Sequence, residues 1–268
     1  MKKLVYFFGI FALIAGLVTS CGDDDDDDEG NGNSGGKTVS QKKLKKLVED
    51  NYYWEYTYDK DGRCTSYSEF YQNQFSEKTN YKYEGNKIVE ECYEQDGEVR
   101  TTTTILFNSK GYVESVTTDN SGSLETMLYE YDNQGHLISE KYSDDDGDTR
   151  ISTYTWENGN ISKIETREKH GESEYGSDIY LEYTNDSYPN GIENKVRINY
   201  LEMDDEFLSP YLRSAGVAIK KLPVTLKYIG DERSSLQTLT WTLDSDGYPI
   251  KIVSGYDSDT DTFEFVWE

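Results

Sequence analysis

Carboxylates gathered beside glycine are the residues of this chain best placed to do chemistry. Asp144-Asp145-Asp146-Gly147 and Asp244-Ser245-Asp246-Gly247 each set two aspartates two apart before a glycine. Loops of that kind can wrap a hard cation such as calcium. Read as an EF-hand-type loop, the first puts Tyr142, Asp144 and Asp146 at its first, third and fifth positions and Thr153 at its twelfth. The first ligand and the closing glutamate are both missing. The second loop fails likewise, with Thr242 first and Val253 twelfth. Asp144, Asp146, Asp244 and Asp246 are therefore candidates for a weak calcium site, with solvated turns as the default. His136 and His170 stand apart, each beside a turn glycine, which makes no zinc cluster. A Gly-x-Ser-x-Gly elbow, a phosphate-binding glycine loop and a zincin pair are absent. No catalytic residue and no cofactor is singled out. Carboxylates are so frequent that no acid–base pair stands out, although two at a set separation would serve a glycan hydrolase. Trp54, Trp156, Trp241, Trp267 and the 24 tyrosines could stack on sugar rings. Strand aromatics more often pair across strands and build the core, and no individual stacking residue is chosen.

Cys21 offers a different chemistry. It follows a basic start (Lys2, Lys3), an apolar run of 15 residues from Leu4 to Val18, and Thr19-Ser20. The run is short for a membrane-spanning helix, which needs about 20 residues, and its flanks are those of a signal peptide. Small residues before a cysteine at this point resemble a bacterial lipoprotein cleavage site. The resemblance implies removal of residues 1–20 and acylation of the Cys21 thiol, leaving the protein attached to a membrane through acyl chains. Residues 21–42 then form a leash. Asp23 to Asp28 and Glu29 put seven negative charges in a row, well within a Debye length of one another, and Gly30 to Gly36 continues as a flexible linker. An acidic cluster just after a lipidated cysteine resembles the surface-export signal of Bacteroidetes lipoproteins. That implies display on the outer membrane facing the exterior, with the periplasmic face as the alternative.

Residues 43–268 read as a single domain. The chain carries a formal net charge of −25, which leaves no basic footprint for nucleic acid. Hydrophobic residues make up 35% and aromatics 14%, a folded composition rather than the aromatic-poor one of acidic disorder. Cys64 and Cys92 are expected as free thiols, because the hairpin pattern sets them on strands separated by a third strand and beyond disulfide reach.

The elements that must position these residues emerge from a repeat. An aromatic-x-aromatic pair, an acidic or amide residue, a glycine turn and an aliphatic strand start recur, as in Tyr56-Thr57-Tyr58-Asp59-Lys60-Asp61-Gly62 and Tyr129-Glu130-Tyr131-Asp132-Asn133-Gln134-Gly135. Glycines 62, 85, 111, 135 and 159 are 23, 26, 24 and 24 residues apart. The flanks alternate with period two: Met127, Tyr129 and Tyr131 share one face, and Thr126, Leu128 and Glu130 the other. Such alternation predicts antiparallel strands with one apolar face. Val113/Val116 and Ile161/Ile164 break it and predict bulges early in the return strands. Lys42 to Leu47 reads as an opening strand with a charged edge. The fold class is therefore all-β: an antiparallel up-and-down meander of about 14–16 strands, closed as a barrel or folded as a flattened, curled sheet. Residues 201–223 interrupt the repeat. Asp204 and Asp205 can cap a short helix over 204–215 carrying Phe207, Leu208, Tyr211 and Leu212, a helical insertion that either plugs the sheet or crosses its edge.

The aromatic-x-aromatic-Asp-x-x-Gly unit resembles the YD repeat of Rhs-type shells. Taken whole, the Cys21 leader, the repeats, the interruption ending in Leu222-Pro223 and the stretch Asp244-Ser245-Asp246-Gly247-Tyr248-Pro249 resemble a family of uncharacterised Bacteroidetes surface lipoproteins with a porin-like domain. That resemblance implies a shape and assigns no activity. The expected function is a non-enzymatic, surface-exposed, monomeric lipoprotein that binds a glycan or protein partner or serves in assembly. A glycan hydrolase using carboxylates of the β-domain is the alternative, and a membrane-inserted porin-like barrel is the second alternative.

Overall fold

The computed structural model describes residues 42–183, 216–230, 234–256 and 259–268. Among them are sixteen strands: β1 (Leu44–Glu49), β2 (Tyr52–Tyr58), β3 (Cys64–Tyr71), β4 (Gln74–Glu84), β5 (Lys87–Tyr93), β6 (Val99–Phe107), β7 (Val113–Asn120), β8 (Ser123–Tyr131), β9 (Leu137–Asp144), β10 (Thr149–Glu157), β11 (Asn160–His170), β12 (Ser173–Glu182), β13 (Thr225–Gly230), β14 (Ser234–Leu243), β15 (Pro249–Tyr256) and β16 (Asp259–Trp267). Each pairs antiparallel with its neighbours in sequence, and β16 pairs with β1, so the meander closes into a barrel. Closure removes the two edges that an open sheet would expose. Cys64 and Cys92 are free and buried, on β3 and β5 with β4 between them.

One end of the barrel, the base, holds both ends of the domain and the turns of the repeat. There Asp59 Oδ1 accepts the amides of Asp61 and Arg63, each at 2.9 Å. Asn108, Asp132 and Asp244 do the same for the amides two and four residues on. In these four copies the acidic or amide residue of the repeat is thus consumed in holding its own turn. The expected bulges are present: Phe107 pairs with Val113 but Leu106 with Ser115, and Trp156 pairs with Ile161 but Thr155 with Lys163.

Where the last aromatic of a repeat carries a donor, as all but Phe107 do, it has a matching task. A bulge leaves a carbonyl outside the ladder, and buried carbonyls need a donor. Tyr58 Oη donates to Leu44 O at 2.6 Å, Tyr83 Oη to Cys64 O at 2.7 Å, Tyr131 Oη to Val113 O at 2.7 Å and Tyr183 Oη to Ile161 O at 2.8 Å. Three indoles do likewise: Trp156 Nε1 to Leu137 O at 2.8 Å, Trp241 Nε1 to Pro223 O at 2.8 Å, and Trp267 Nε1 to Pro249 O at 2.6 Å. This belt runs inside the barrel, just above the base.

The core is the barrel's interior. Cys64, Ile105, Val113, Ile164 and Ile252 are fully buried there, packed with Trp54, Tyr67 and Trp241. The opposite end, the mouth, is lined on the inside by Glu69, Glu77, Thr101, Thr118 and Ser152, all buried.

The expected helical insertion requires correction. No helix occurs among the described residues. Positions 204–215 themselves lie outside the described residues, and the remainder of the interruption, 216–223, is irregular extended chain. Gly216 sits with φ 81° where a Cβ would lie 2.1 Å from Gly135 O, a left-handed conformation and close approach that glycine alone accommodates. The Val217 amide donates to Gly135 O at 2.8 Å, the Lys220 amide to Gly159 O at 3.0 Å, and the Lys221 amide to Asn160 Oδ1 at 2.8 Å. Backbone groups satisfied by neighbouring turns do not need a helix's internal bonds. The strap so formed buries Ile219 and Leu222 in the core, which makes 216–223 a plug at the base.

Candidate functional site

Cys21, with the leader 1–20 and leash 21–41, lies outside the described residues. The other sequence-predicted positions can be placed. Asp144 and Asp146 sit in the β9–β10 turn at the mouth. Asp144 Oδ1 accepts the amides of Asp146 at 3.1 Å and Asp148 at 2.9 Å, and its Oδ2 accepts Tyr142 Oη at 3.2 Å. Asp244 and Asp246 sit at the base, both gripped by Lys42 Nζ at 2.6 Å. These two acceptors push Lys42 up to about 12. The barrel therefore keeps the two aspartate pairs at opposite ends, each engaged with its own surroundings. Among the described residues no group of three or more His, Cys, Asp or Glu is arranged to hold a metal ion. His136 Nδ1 lies 2.9 Å from Asp132 Oδ2 and its ring stacks on Trp156 at 4.5 Å. The four tryptophans are core residues: Trp54 and Trp241 are buried, and Trp156 and Trp267 pack against the same cluster.

Inside the mouth lies a polar network that sequence pattern did not pick out. Glu69 on β3 and Glu77 on β4 are directly opposed. Trp54 Nε1 donates to Glu69 Oε2 at 3.1 Å, and Arg100 Nη1 stands 3.4 Å from Glu77 Oε2. Burial raises both carboxyls above the usual range. Hydrogen bonds from Ser76 and Trp54 oppose the rise at Glu69, while Glu69 adds to it at Glu77 and Arg100 opposes it there. Cys92 beside them is pushed up to about 12, first by burial and then by Glu77, which keeps it a thiol and unreactive. Alternation marks these residues as inward-facing, but two carboxylates per unit are too common in this sequence to flag them.

Outside the barrel, near the mouth, a cleft of about 620 Å³ runs over β10–β13. Cross-strand pairing builds it in rows. Ile151, Arg167 and Gly176 form one, and Thr149, Lys169 and Glu174 the next. Gly176 leaves room over which the Arg167 side chain lies, 3.4 Å from where a Cβ would stand. Arg167 Nη1 donates to Thr166 O at 2.7 Å, and to Ser177 O and Asp178 Oδ1 at 3.2 Å. Lys163 holds the other oxygen of Asp178 at 3.0 Å. Pairing between β12 and β13 stops at Ser177–Gly230, and Tyr175 and Ile229 line the cleft around that point. At its rim, His170 Nδ1 lies 2.8 Å from Asp148 Oδ2 and Nε2 3.4 Å from Glu168 Oε2. Those two carboxylates raise the imidazole above its ordinary value.

Comparison with known proteins gives the shape. A crystal structure of a porin-like protein from Bacteroides uniformis ATCC 8492 is similar at a TM-score of 0.59 and 19% identity, covering 84% of this chain and 96% of that one. One from Bacteroides vulgatus ATCC 8482 is similar at a TM-score of 0.61 and 15% identity, covering 83% of this chain and 97% of that one. No curated protein matches the chain. Of the three functional readings of the sequence, the porin-like barrel is the one whose shape these likenesses share. Residues 56–251, from β2 into β15, match the model for a domain of unknown function with porin-like fold, and the chain belongs to that family, DUF4595.

Proposed function

We propose that this porin-like barrel is a non-enzymatic binding protein, carried as a monomer on the outer membrane by acyl chains on Cys21 and facing the cell exterior, and that it does not conduct solute. One observation carries the reading. The side chains that would line a pore are packed as a core, and the face that lipid would touch is charged. Among the described residues, Ile219 and Leu222 plug the base and the interior side chains pack together as a core. A membrane barrel needs an outward apolar band about 25 Å tall, and lysine or arginine at its midplane costs roughly 2–4 kcal/mol each. Here the outer face carries cross-strand ion pairs: Lys46–Glu55 at 3.3 Å, Lys82–Glu91 at 2.6 Å, Lys141–Glu130 at 2.5 Å and Lys163–Asp178 at 3.0 Å. Exposed apolar residues share their strand faces with polar ones, as Leu128 does with Thr126 and Glu130 and Leu236 with Ser234 and Thr238.

The test is made on the full chain produced with its leader. Purified and added to planar bilayers, it is expected to give no unitary conductance steps. A chain begun at residue 22, which carries neither the leader nor Cys21, is expected in the soluble fraction. Single-channel steps from the full chain, or insertion of the shortened chain into the bilayer, would show a spanning barrel instead.

A further inference from the structure

On the outer face of β2–β4, towards the mouth, three aromatic rings stand in a row. Tyr53 pairs with Phe70, and Phe70 with Phe75. The Tyr53 and Phe70 rings stack 4.6 Å apart at 10°, and Phe75 meets Phe70 at 6.0 Å and 76°. Lys46 Nζ lies 3.4 Å from the centre of the Tyr53 ring. None of the three belongs to the interior cluster. Neighbouring strands are about 4.8 Å apart, so the row spans roughly 10 Å. A bulge completes it. Counting back in twos from the buried Glu77 would turn Phe75 inward, but Glu69 pairs with Glu77 while Phe70 pairs with Phe75, which leaves Ser76 as an extra residue on β4. The extra residue re-aims the ring outward, where it is 38% exposed. Gln95 Nε2 holds the Phe75 carbonyl at 2.8 Å. One step towards the base, on the same face, cross-strand pairing sets a polar row of Lys46, Glu55, Ser68 and Lys78.

From these two rows we infer that the protein binds neutral oligosaccharides on the outer face of β2–β4, with Phe75 as the stacking ring and the adjoining polar row as the hydroxyl-recognising group. A sugar ring offers an apolar C–H face and a girdle of hydroxyls, each able to donate and to accept. The aromatic row matches the first. Ammonium, carboxylate and hydroxyl groups in line, with Lys46 and Glu55 already 3.3 Å apart, match the second. A protein partner fits less well. A stable interface covers about 800 Å² a side, an aromatic side chain buries roughly 150–250 Å² even when fully covered, and two of these three already cover each other. Beyond the row the face carries ion pairs, Lys46–Glu55 and Lys82–Glu91, whose desolvation a larger interface would have to offset. An anionic polymer is disfavoured by the formal net charge of −25. The inference rests on the binding role proposed above and supplies its ligand class.

The experiment is saturation-transfer NMR followed by calorimetry on the full chain, in a detergent whose headgroup is not a sugar, with maltohexaose, cellohexaose and mannohexaose as probes. At least one hexasaccharide is expected to bind. Phe75→Ala is expected to weaken it about tenfold, the equivalent of about 1.4 kcal/mol for a lost aromatic contact, with the thermal midpoint unchanged. Phe75→Tyr is expected to retain binding, and so is Tyr180→Ala, which removes an exposed ring of the outer face on β12. Failure of all three sugars to bind overturns the inference, as does binding that is indifferent to Phe75→Ala or equally weakened by Tyr180→Ala. Sedimentation showing a dimer that Phe75→Ala abolishes assigns the row to a second copy of the chain and overturns it too. None of these results touches the proposed non-conducting role, which stands or falls on bilayer recordings.

Discussion

The buried carboxylates of the mouth show how far one residue can pull against the fold that holds it. Glu77 faces Glu69 across one strand pair, and Arg100 is its neutralising neighbour. Burial nevertheless raises its pKa, so desolvation outweighs the attraction of the guanidinium. A carboxyl held above its ordinary range binds its proton more tightly in the folded state than in the unfolded one. The stability this brings is fully present below the unfolded value near 4.5, and it is lost as pH rises through the higher folded value. Glu77→Gln, which mimics the protonated form, is therefore expected to be more stable than the parent at pH 8 and indistinguishable from it at pH 4. Thermal melts of the two proteins across that range would measure the difference. A parent more stable than Glu77→Gln at pH 8 would mean that the Arg100 pair dominates.

At the scale of the elements, the repeat is a device for making bulged hairpins whose stray carbonyls are satisfied by the aromatic at the end of the following strand, as Tyr131 does for Val113 and Trp156 for Leu137. Trp156→Phe keeps the ring and removes the donor to Leu137 O. Leaving that carbonyl short costs about 1–2 kcal/mol, which in a domain of this size lowers the thermal midpoint by about 2–8 °C. Tyr53→Phe, on the outer face, is expected to change it by less than about 2 °C, and differential scanning calorimetry on both variants separates the two. The bulged hairpin was legible in the sequence because its turn and its bulge are local, whereas the aromatic donor reaches a carbonyl 18 or 19 residues back. The aspartate holds its turn within four residues, the glycine supplies the turn, and the aliphatic pair three apart announces the bulge. Closure was legible only as one of two outcomes, a barrel or a flattened sheet. Leu44 meets Trp267 and Glu49 meets Phe263, and such pairing between chain ends depends on accumulated twist rather than on any local signal. The plug was one of two readings of the interruption, and the helical insertion was the wrong part: the described portion, 216–223, is irregular chain whose amides are met by Gly135, Gly159 and Asn160. The outer cleft was hidden as well. Arg167, Gly176 and Ile151 lie on three strands and become neighbours only through register.

For the whole molecule, the two poles differ in charge and in what leaves them. Lysines and arginines of the turns and strap, such as Lys60, Arg63, Lys110 and Lys220, accompany the acids of the base. The mouth turns carry Asp96, Asp119, Asp144, Asp148 and Glu172. The chain enters the domain at the base. There Lys42 bridges Asp244 and Asp246 and lies over the Tyr248 ring, 5.2 Å from its centroid. If acyl chains on Cys21 hold the protein, the point of attachment is this less acidic pole. Bacterial membrane surfaces are anionic, and repulsion of the acidic mouth falls off within about 8 Å at physiological salt, so the pole nearest the surface decides the preferred orientation. A chain of residues 21–42 could reach roughly 70 Å if fully extended, so tether length alone would not impose it. The prediction is a base-down barrel with the mouth and the outer cleft held away from the bilayer. Cys64 and Cys92 are buried, which permits selective labelling of a single introduced cysteine, at Ser109 in the base or Ser121 in the mouth. In liposomes carrying a headgroup acceptor dye, energy transfer from the Ser109→Cys label is expected to exceed that from Ser121→Cys. The difference should shrink when Lys42→Ala removes the clasp and leaves the leash free to swing from Lys43, whose backbone is bonded to Glu268. Equal transfer from the two labels in the parent would mean that charge and clasp do not orient the barrel.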